Sequence, residues 1–216
     1  MNFVFDFDST IINIESLDFL ISKVSNGKYD KEIEEITNLG MSGSINLLES
    51  ITRRMQICSI TKQQLQDNAN LMTNYITREI DDVIKLIQTK GHNVYIVSGG
   101  MIDLILPVAL KLNIFHKNCI ANEIFFNSDG SFKEINKSSP LLYKNGKSDA
   151  IRQLGILNNK TIMIGDGYTD LEVNLNNPFI DFIGFGVNIQ RDSVKKQAKI
   201  FTKTMQEFKN VINQKI

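Results

Sequence analysis

Three short apolar runs constrain this chain most: Asn2-Phe3-Val4-Phe5, Asn93-Val94-Tyr95-Ile96-Val97 and Thr161-Ile162-Met163-Ile164. Runs of this length without polar alternation read as strands buried on both faces, as in a parallel sheet covered by helices. A helical stripe, Ile80, Val83, Ile84 and Ile87 ended by Gly91, precedes the second run, and another, Ile102, Ile105, Leu106, Ala109 and Leu110, follows it. Further strands are expected at Asp181 to Phe185 and Ile200 to Phe201, with helices at Lys147 to Leu154, Val194 to Ala198 and Met205 to Ile212. Ile124-Phe125-Phe126 and Ser131-Phe132-Lys133-Glu134-Ile135, joined by Asn127-Ser128-Asp129-Gly130, form a side β-hairpin. The expectation is an α/β fold with a doubly wound parallel sheet, in which ligands bind at the carboxyl ends of the strands.

Each of the three runs delivers polar groups to that end. Asp6 and Asp8 follow the first and would share one side of a continuing strand, a setting that suits a hard divalent cation. The residue types also permit a helix cap, since Asp8, Ser9 or Thr10 could start the next helix. A helix-loop-helix calcium loop is excluded, because Ile11 stands where Gly is needed and Leu17 where a bidentate Glu belongs. Ser98-Gly99-Gly100 follows the second run and is expected to open a helix, where a small hydroxyl and free amides make an anion site. A capped strand-to-helix turn would have the same sequence. Lys147 opens a helical stretch, where a cation is electrostatically misplaced unless a ligand or partner is near. The third run delivers Asp166, with Asp170 one helical turn later on the same side.

Between Ile12 and Ile76 the alternation stops and four helical segments follow, Ser16 to Val24, Lys31 to Leu39, Gly43 to Met55 and Thr61 to Asn74. Thr61-Lys62-Gln63-Gln64 has the form of a capping box. The expected division is a core of residues 1–12 and 77–216 and a helical cap of residues 13–76.

In this order the motifs resemble the haloacid dehalogenase superfamily of aspartate-nucleophile hydrolases. Asp6-Phe7-Asp8-Ser9-Thr10, Glu15, Val97-Ser98-Gly99-Gly100, Gly165-Asp166-Gly167-Tyr168-Thr169-Asp170-Leu171-Glu172 and Phe182-Ile183-Gly184-Phe185-Gly186 are similar to its phosphoserine phosphatase family. The resemblance runs from about Asn2 to about Phe201. It implies Asp6 as the nucleophile that takes the phosphoryl group, and Asp8 as the acid that protonates the leaving alkoxide and then the base for water. It implies Mg2+ held by Asp6, the backbone carbonyl of Asp8, and Asp166, with Asp170 orienting them from behind. Ser98, the Gly99 and Gly100 amides and Lys147 would stabilise charge on the phosphoryl oxygens. Positive groups are required there, because like charges about 4 Å apart repel by roughly 4 kcal/mol at an effective dielectric near 20.

The resemblance also implies that the cap recognises the substrate's amino acid part. Glu15 matches the family acid for the ammonium, Arg54, ahead of its neighbour Arg53, matches the arginine for the carboxylate, and Met41 belongs to the same pocket. This chain has Met41-Ser42-Gly43 and then Leu47 where the family commonly has Met-Gly-Gly and then Phe, and a bulkier Ser138 to Gly146 before Lys147. Arg191 aligns with a family arginine and is expected to be a solvated surface residue. The expected substrate is a small phosphomonoester, O-phosphoserine first, with a related phosphatase or phosphotransferase acting on a phosphosugar or phosphohomoserine as the alternative.

With 24 basic and 24 acidic residues the chain carries no net charge, which gives no sign of nucleic-acid or acidic-membrane binding. Its apolar stretches are short and no signal peptide precedes Asn2, so a cytoplasmic protein is expected. Cys58 and Cys119 stand far apart without His at metal spacing and are expected as buried thiols, and neither His92 nor His116 is expected to act in catalysis. A receiver domain also uses acids, a Ser or Thr and a Lys. It needs its phosphorylated Asp on a middle strand, where this chain has Ser98, and it has no helical insertion.

Overall fold

The computed structural model of the protein describes residues 1–41, 44–157 and 160–216. The chain opens with β1 (Asn2–Phe5) and a wide turn, Phe7–Ile11, then runs through α1 (Ser16–Ser25), α2 (Asp30–Met41), α3 (Leu47–Cys58) and α4 (Lys62–Ala69). A 3-10 stretch, Asn70–Tyr75, leads back to α5 (Ile80–Thr89), β2 (Asn93–Met101), α6 (Ile102–Lys111) and β3 (Cys119–Asn122). The hairpin strands β4 (Ile124–Phe126) and β5 (Phe132–Ile135) follow. The remaining elements are α7 (Gly146–Gln153), β6 (Thr161–Gly165), α8 (Tyr168–Asn176), β7 (Asp181–Phe185), α9 (Asp192–Lys195), β8 (Phe201–Thr202) and α10 (Met205–Lys215).

The six-stranded sheet has the order β3-β2-β1-β6-β7-β8, every neighbouring pair parallel, and the antiparallel hairpin β4-β5 stands apart. Successive strands run outward on both sides of β1, so the direction of winding reverses between β1 and β6. Loops leaving two adjacent strands in opposite directions open a crevice at their carboxyl ends, and that is where Asp6 and Asp166 emerge.

Side-chain alternation explains why both faces are covered. Phe3, Phe5, Ile96, Ile162, Ile164, Ile183 and Phe185 point to one face and pack with α5, α6 and α10. Val4, Val97, Met163 and Phe182 point to the other and pack with α7 and α8 through Ala150, Ile151, Leu171 and Val173. On the first face the Phe208 ring of α10 meets Phe5 and Phe185 edge-on, with centroids 6.4 and 5.0 Å away. The helical insertion joins this same apolar cluster through Leu20, Ile21, Ile51, Met55 and Leu65.

Its two ends are tied together. Ile12 and Ile76 form an antiparallel bridge, flanked by Asn13 N–H donating to Tyr75 O at 2.9 Å and Thr77 N–H to Ile11 O at 2.9 Å. A narrow neck of this kind fixes where the insertion sits over the sheet without continuing the sheet. Thr61 caps α4 with the expected reciprocal box, its hydroxyl accepting from Gln64 N–H.

Three expectations on local structure are corrected. Ser98-Gly99-Gly100 does not open a helix: β2 runs on to Met101, bulged where its register against β3 shifts, and α6 starts at Ile102. The fourth cap segment ends as a tighter 3-10 stretch, and α3 starts at Leu47, where Asn46 caps Glu49 N–H. The Gly43 start expected for that helix, with Ser42, lies outside the described residues. No helix among the described residues is long and apolar enough to cross a membrane.

Phe208 is fully buried at the junction of α10 with β1 and β7, so Phe208→Ala is expected to lower unfolding stability by about 3–5 kcal/mol in denaturant titration. Leu110→Ala, at an exposed position on α6, should change it by less than about 0.5 kcal/mol.

Candidate active site

β1 ends at Phe5, but Asp6 N–H still donates to Ile164 O at 2.8 Å, which holds the Asp6 backbone in line with the sheet. The chain then turns sharply. Asp6 Oδ1 accepts from Phe7 N–H at 2.7 Å, and Ser9 takes a left-handed backbone with φ +54°. This turn leaves Asp6 Oδ2 aimed at the crevice, 2.9 Å from Lys147 Nζ.

Asp166 follows β6 and Asp170 lies in the first turn of α8. Asp170 Oδ2 accepts from Gly167 N–H at 3.0 Å, capping the helix, while Asp170 Oδ1 lies 2.5 Å from Lys147 Nζ. Gly165 is required by this packing, because a Cβ there would overlap the Asp170 carboxylate. Asp6, Asp166 and Asp170 each offer a carboxylate oxygen, all within 4.8 Å of one another. Burial, and next the charge of Asp6, raise the proton affinity of Asp166 and push Asp170 up to about 8. Burial works against the Lys147 ammonium too, yet Asp170 and Asp6 together hold it protonated well above the ordinary lysine range. An all-oxygen set of crowded carboxylates that resist ionising fits a hard divalent cation in its donor chemistry.

Asp8 faces a different wall of the crevice. Its Oδ1 accepts from Ser16 N–H at 2.8 Å, a contact from outside α1, whose N-cap position is Glu15, so none of Asp8, Ser9 and Thr10 starts that helix. Burial first, and then Glu15, hold its carboxyl well above the usual carboxylate range despite the bonds from Ser16. Across from it, Ser98 Oγ accepts from Gly100 N–H at 3.0 Å, and a Cβ on Gly100 would stand 3.0 Å from Asp8 Oδ2. Leu47 of α3 reaches over the bulge, its Cδ2 3.1 Å from where a Cβ on Gly99 would be. Gly99 and Gly100 thus let two walls and the insertion close up on one spot.

Around the rim the structure departs from the sequence reading at Arg191. Arg191 is no solvated surface residue: its Nε donates to Asp166 Oδ2 at 2.7 Å and its Nη2 lies 3.6 Å from Glu15 Oε1. Buried carboxylates on two other loops supply the counter-charge, which only the tertiary fold brings to it. Glu15 also accepts from Ser9 Oγ at 2.8 Å, and burial, then Asp166, raise its proton affinity. Arg54 is buried while Arg53 is exposed and pairs with Glu49. Arg54 Nη1 donates to Asp18 Oδ1 at 2.6 Å, so it already holds a carboxylate within the insertion, and Thr37 Oγ1 donates to the other Asp18 oxygen at 2.7 Å. Met41 closes α2, and its side chain lies outside the described residues.

Four side chains that the sequence reading passed over organise these groups. Thr10 Oγ donates to Asp166 Oδ1 at 3.1 Å. Asn188 Nδ2 donates to Ser9 O at 3.1 Å and to Thr77 Oγ at 2.7 Å, tying the loop after β7 to both the turn and the insertion's neck. Asn122 Nδ2 donates to Gly99 O at 2.7 Å. Ser16 Oγ is buried beside Gly100 without a partner among the described residues. Thr10 lay in view beside the acidic pair; the other three carry no local pattern.

Comparison with known proteins agrees with this arrangement. The family model of the haloacid dehalogenase-like hydrolases matches residues 3–173. The phosphoserine phosphatase of Drosophila melanogaster is 32% identical over 200 residues, covering 91% of this chain and 72% of its own length. That of Homo sapiens is 32% identical over 197 residues, covering 90% and 85%. Among solved structures, a phosphoserine phosphohydrolase-like protein from Francisella tularensis superposes with a TM-score of 0.87 at 36% identity, covering 98% of this chain and 99% of that one.

The carboxylate cluster sets a pH dependence whose sign follows from the raised values. Asp8, Glu15, Asp166 and Asp170 keep protons in the fold at pH values where the unfolded chain has released them, so stability falls as pH rises from the ordinary carboxylate range toward about 8. Thermal denaturation in a chelator should show a midpoint that drops across that window. Stabilisation by an added divalent cation should grow with pH, and a cation effect independent of pH would contradict the crowding.

Proposed function

This chain belongs to the haloacid dehalogenase-like hydrolase family, and within it we propose a Mg2+-dependent phosphomonoesterase that acts on O-phosphoserine through a covalent aspartyl-phosphate. The observation that carries the reading is the meeting of Asp6, Asp166 and Asp170 around Lys147, with Asp8, whose proton affinity burial raises, two residues from Asp6. A nucleophile that must approach a dianionic phosphate needs neutralised surroundings, and an alkoxide leaving group needs an acid that is still protonated near neutral pH.

In this reading Asp6 Oδ2 attacks phosphorus as the ester oxygen leaves with the proton from Asp8. Asp8, now ionised, takes a proton from water, and the hydroxide so formed attacks the phosphorus of the aspartyl-phosphate, returning Asp6 and releasing phosphate. Lys147 keeps Asp6 oriented and shares its charge with the incoming phosphoryl oxygens. Ser98 and the amides of the Gly99-Gly100 bulge face the same oxygens. Asp6, Asp166 and the Asp8 carbonyl would hold Mg2+, with Asp170 fixing Lys147 and the start of α8 behind them. When bound, the ion supplies positive charge for the transferring phosphoryl group.

We assign residues 13–76 the part of a cap, hinged at the Ile12–Ile76 neck, that brings Leu47 and Arg54 over the crevice. Glu15 and Arg54 would take the ammonium and carboxylate of an amino acid substrate, with Met41 in the same pocket. Support for this finer part comes from the sequence similarity to phosphoserine phosphatases and from the burial of Arg54. Both residues hold partners within the chain, Arg191 and Asp18, so substrate has to share or replace those pairs.

Phosphate release from a panel of phosphorylated amino acids, phosphosugars and one aryl phosphate, with and without Mg2+, tests the reading. A Mg2+-dependent preference for O-phosphoserine is expected, and a preference for a phosphosugar would overturn the substrate. Asp6→Asn should remove turnover by about a thousandfold or more while the fold survives, as loss of a covalent nucleophile does. Arg54→Ala should raise KM for O-phosphoserine by about tenfold or more, with a much smaller change for the aryl phosphate and none in Arg53→Ala.

A further inference from the structure

The bulge that frees Ser98 and Gly99 for an anion has to be held open by something other than the sheet. Val97 pairs with Ile120 and Met101 with Asn122, so four steps along β2 are set against two along β3. Two residues of β2 are therefore surplus, and the regular ladder cannot satisfy the backbone groups between these pairs. Asn122, fully buried at the end of β3, reaches back from its own position and donates its Nδ2 to Gly99 O at 2.7 Å. The carbonyl oxygen of Gly99 is thereby satisfied and turned toward β3. Peptide planarity then fixes the Gly100 N–H on the opposite side, where it meets Ser98 Oγ at 3.0 Å.

The other half of the Asn122 amide is telling. Its Oδ1 is buried and accepts from no group among the described residues. An unpaired buried oxygen is unfavourable, and an apolar side chain here would only exchange it for an unpaired Gly99 O, so net stability does not single out the amide at this position. The amide is retained for its donor.

We propose that Asn122 is a positioning residue that fixes the Gly99–Gly100 peptide so that Gly100 N–H holds Ser98 Oγ at the anion site, acting through the bulge without touching substrate. The inference rests on the phosphatase reading above for the identity of the anion, and its test is made on binding alone.

Asn122→Leu keeps the volume, removes the donor and removes the orphaned oxygen. Inorganic phosphate titrated calorimetrically into the Mg2+-loaded protein is expected to bind roughly five- to tenfold more weakly than to the unaltered chain, the loss of about one hydrogen bond's worth of orientation. The thermal midpoint and the affinity for Mg2+ should stay as they are. Where the leucine variant folds poorly, Asn122→Ala gives the same comparison with a smaller side chain. Equal phosphate affinity in either folded variant overturns the proposal, and so does a loss of Mg2+ affinity parallel to that of phosphate, which would mark a general structural role. The unaltered protein binding phosphate yet hydrolysing no O-phosphoserine would overturn the substrate reading, with the proposal still decided by the ratio between variant and unaltered chain.

Discussion

Lys147 Nζ stands 2.9 Å from Asp6 Oδ2 and 2.5 Å from Asp170 Oδ1, with only 8% of its side chain exposed, and the rest of the site depends on that arrangement. Three carboxylates within 4.8 Å of one another repel, and burial takes away the water that would screen them. One ammonium between two of them, and the Arg191 guanidinium on the third, offset enough of that repulsion for the strands to deliver all three to one point. A divalent cation would complete the neutralisation. Three ionised carboxylates against these two cations leave one negative charge in excess.

Topology explains why these groups meet. β1 is the middle of the sheet's history: strands β2 and β3 lie on one side and β6, β7 and β8 on the other. Its carboxyl end is flanked by those of β2 and β6, so residues near positions 6, 98 and 166 must lie side by side once the register is set. The insertion leaves between β1 and β2 and returns through the Ile12–Ile76 neck, which keeps α1 and α3 above the same crevice. Asn188 binds the turn and the neck together. Any movement of the insertion is thereby coupled to the backbone that carries Asp8.

The acids themselves show how one residue can satisfy two local rules. Asp8 accepts from Ser16 N–H at the start of α1, and burial raises the proton affinity of the same carboxyl. Asp170 caps α8 and pairs with Lys147. Helix-capping patterns and catalytic patterns thus coincide in sequence, and only the burial of the cap separates them. The strand that carries Ser98 makes the same point: Ser-Gly-Gly after an apolar run is the signal of a helix start, yet here the strand continues through a bulge to Met101, with Asn122 Nδ2 donating to Gly99 O across the sheet.

The sequence by itself determined the sheet strands other than β3 (Cys119–Asn122), their burial on two faces, the helical character of the segment between β1 and β2, and the acids, serine and lysine of the crevice. Those features depend on periodicity and on residues next to one another, and both are local. Arg191, Asn122 and Asn188 were decided by the tertiary structure, because each takes its meaning from partners far away in the chain: Asp166 and Glu15 for Arg191, Gly99 for Asn122, Ser9 and Thr77 for Asn188. A lone Arg after a glycine turn is indistinguishable from a solvated one until buried carboxylates from two other loops are placed against it. Local pattern records what a segment buries, whereas the charges and hydrogen bonds that orient a site belong to pairs, and a pair exists only once the chain has folded.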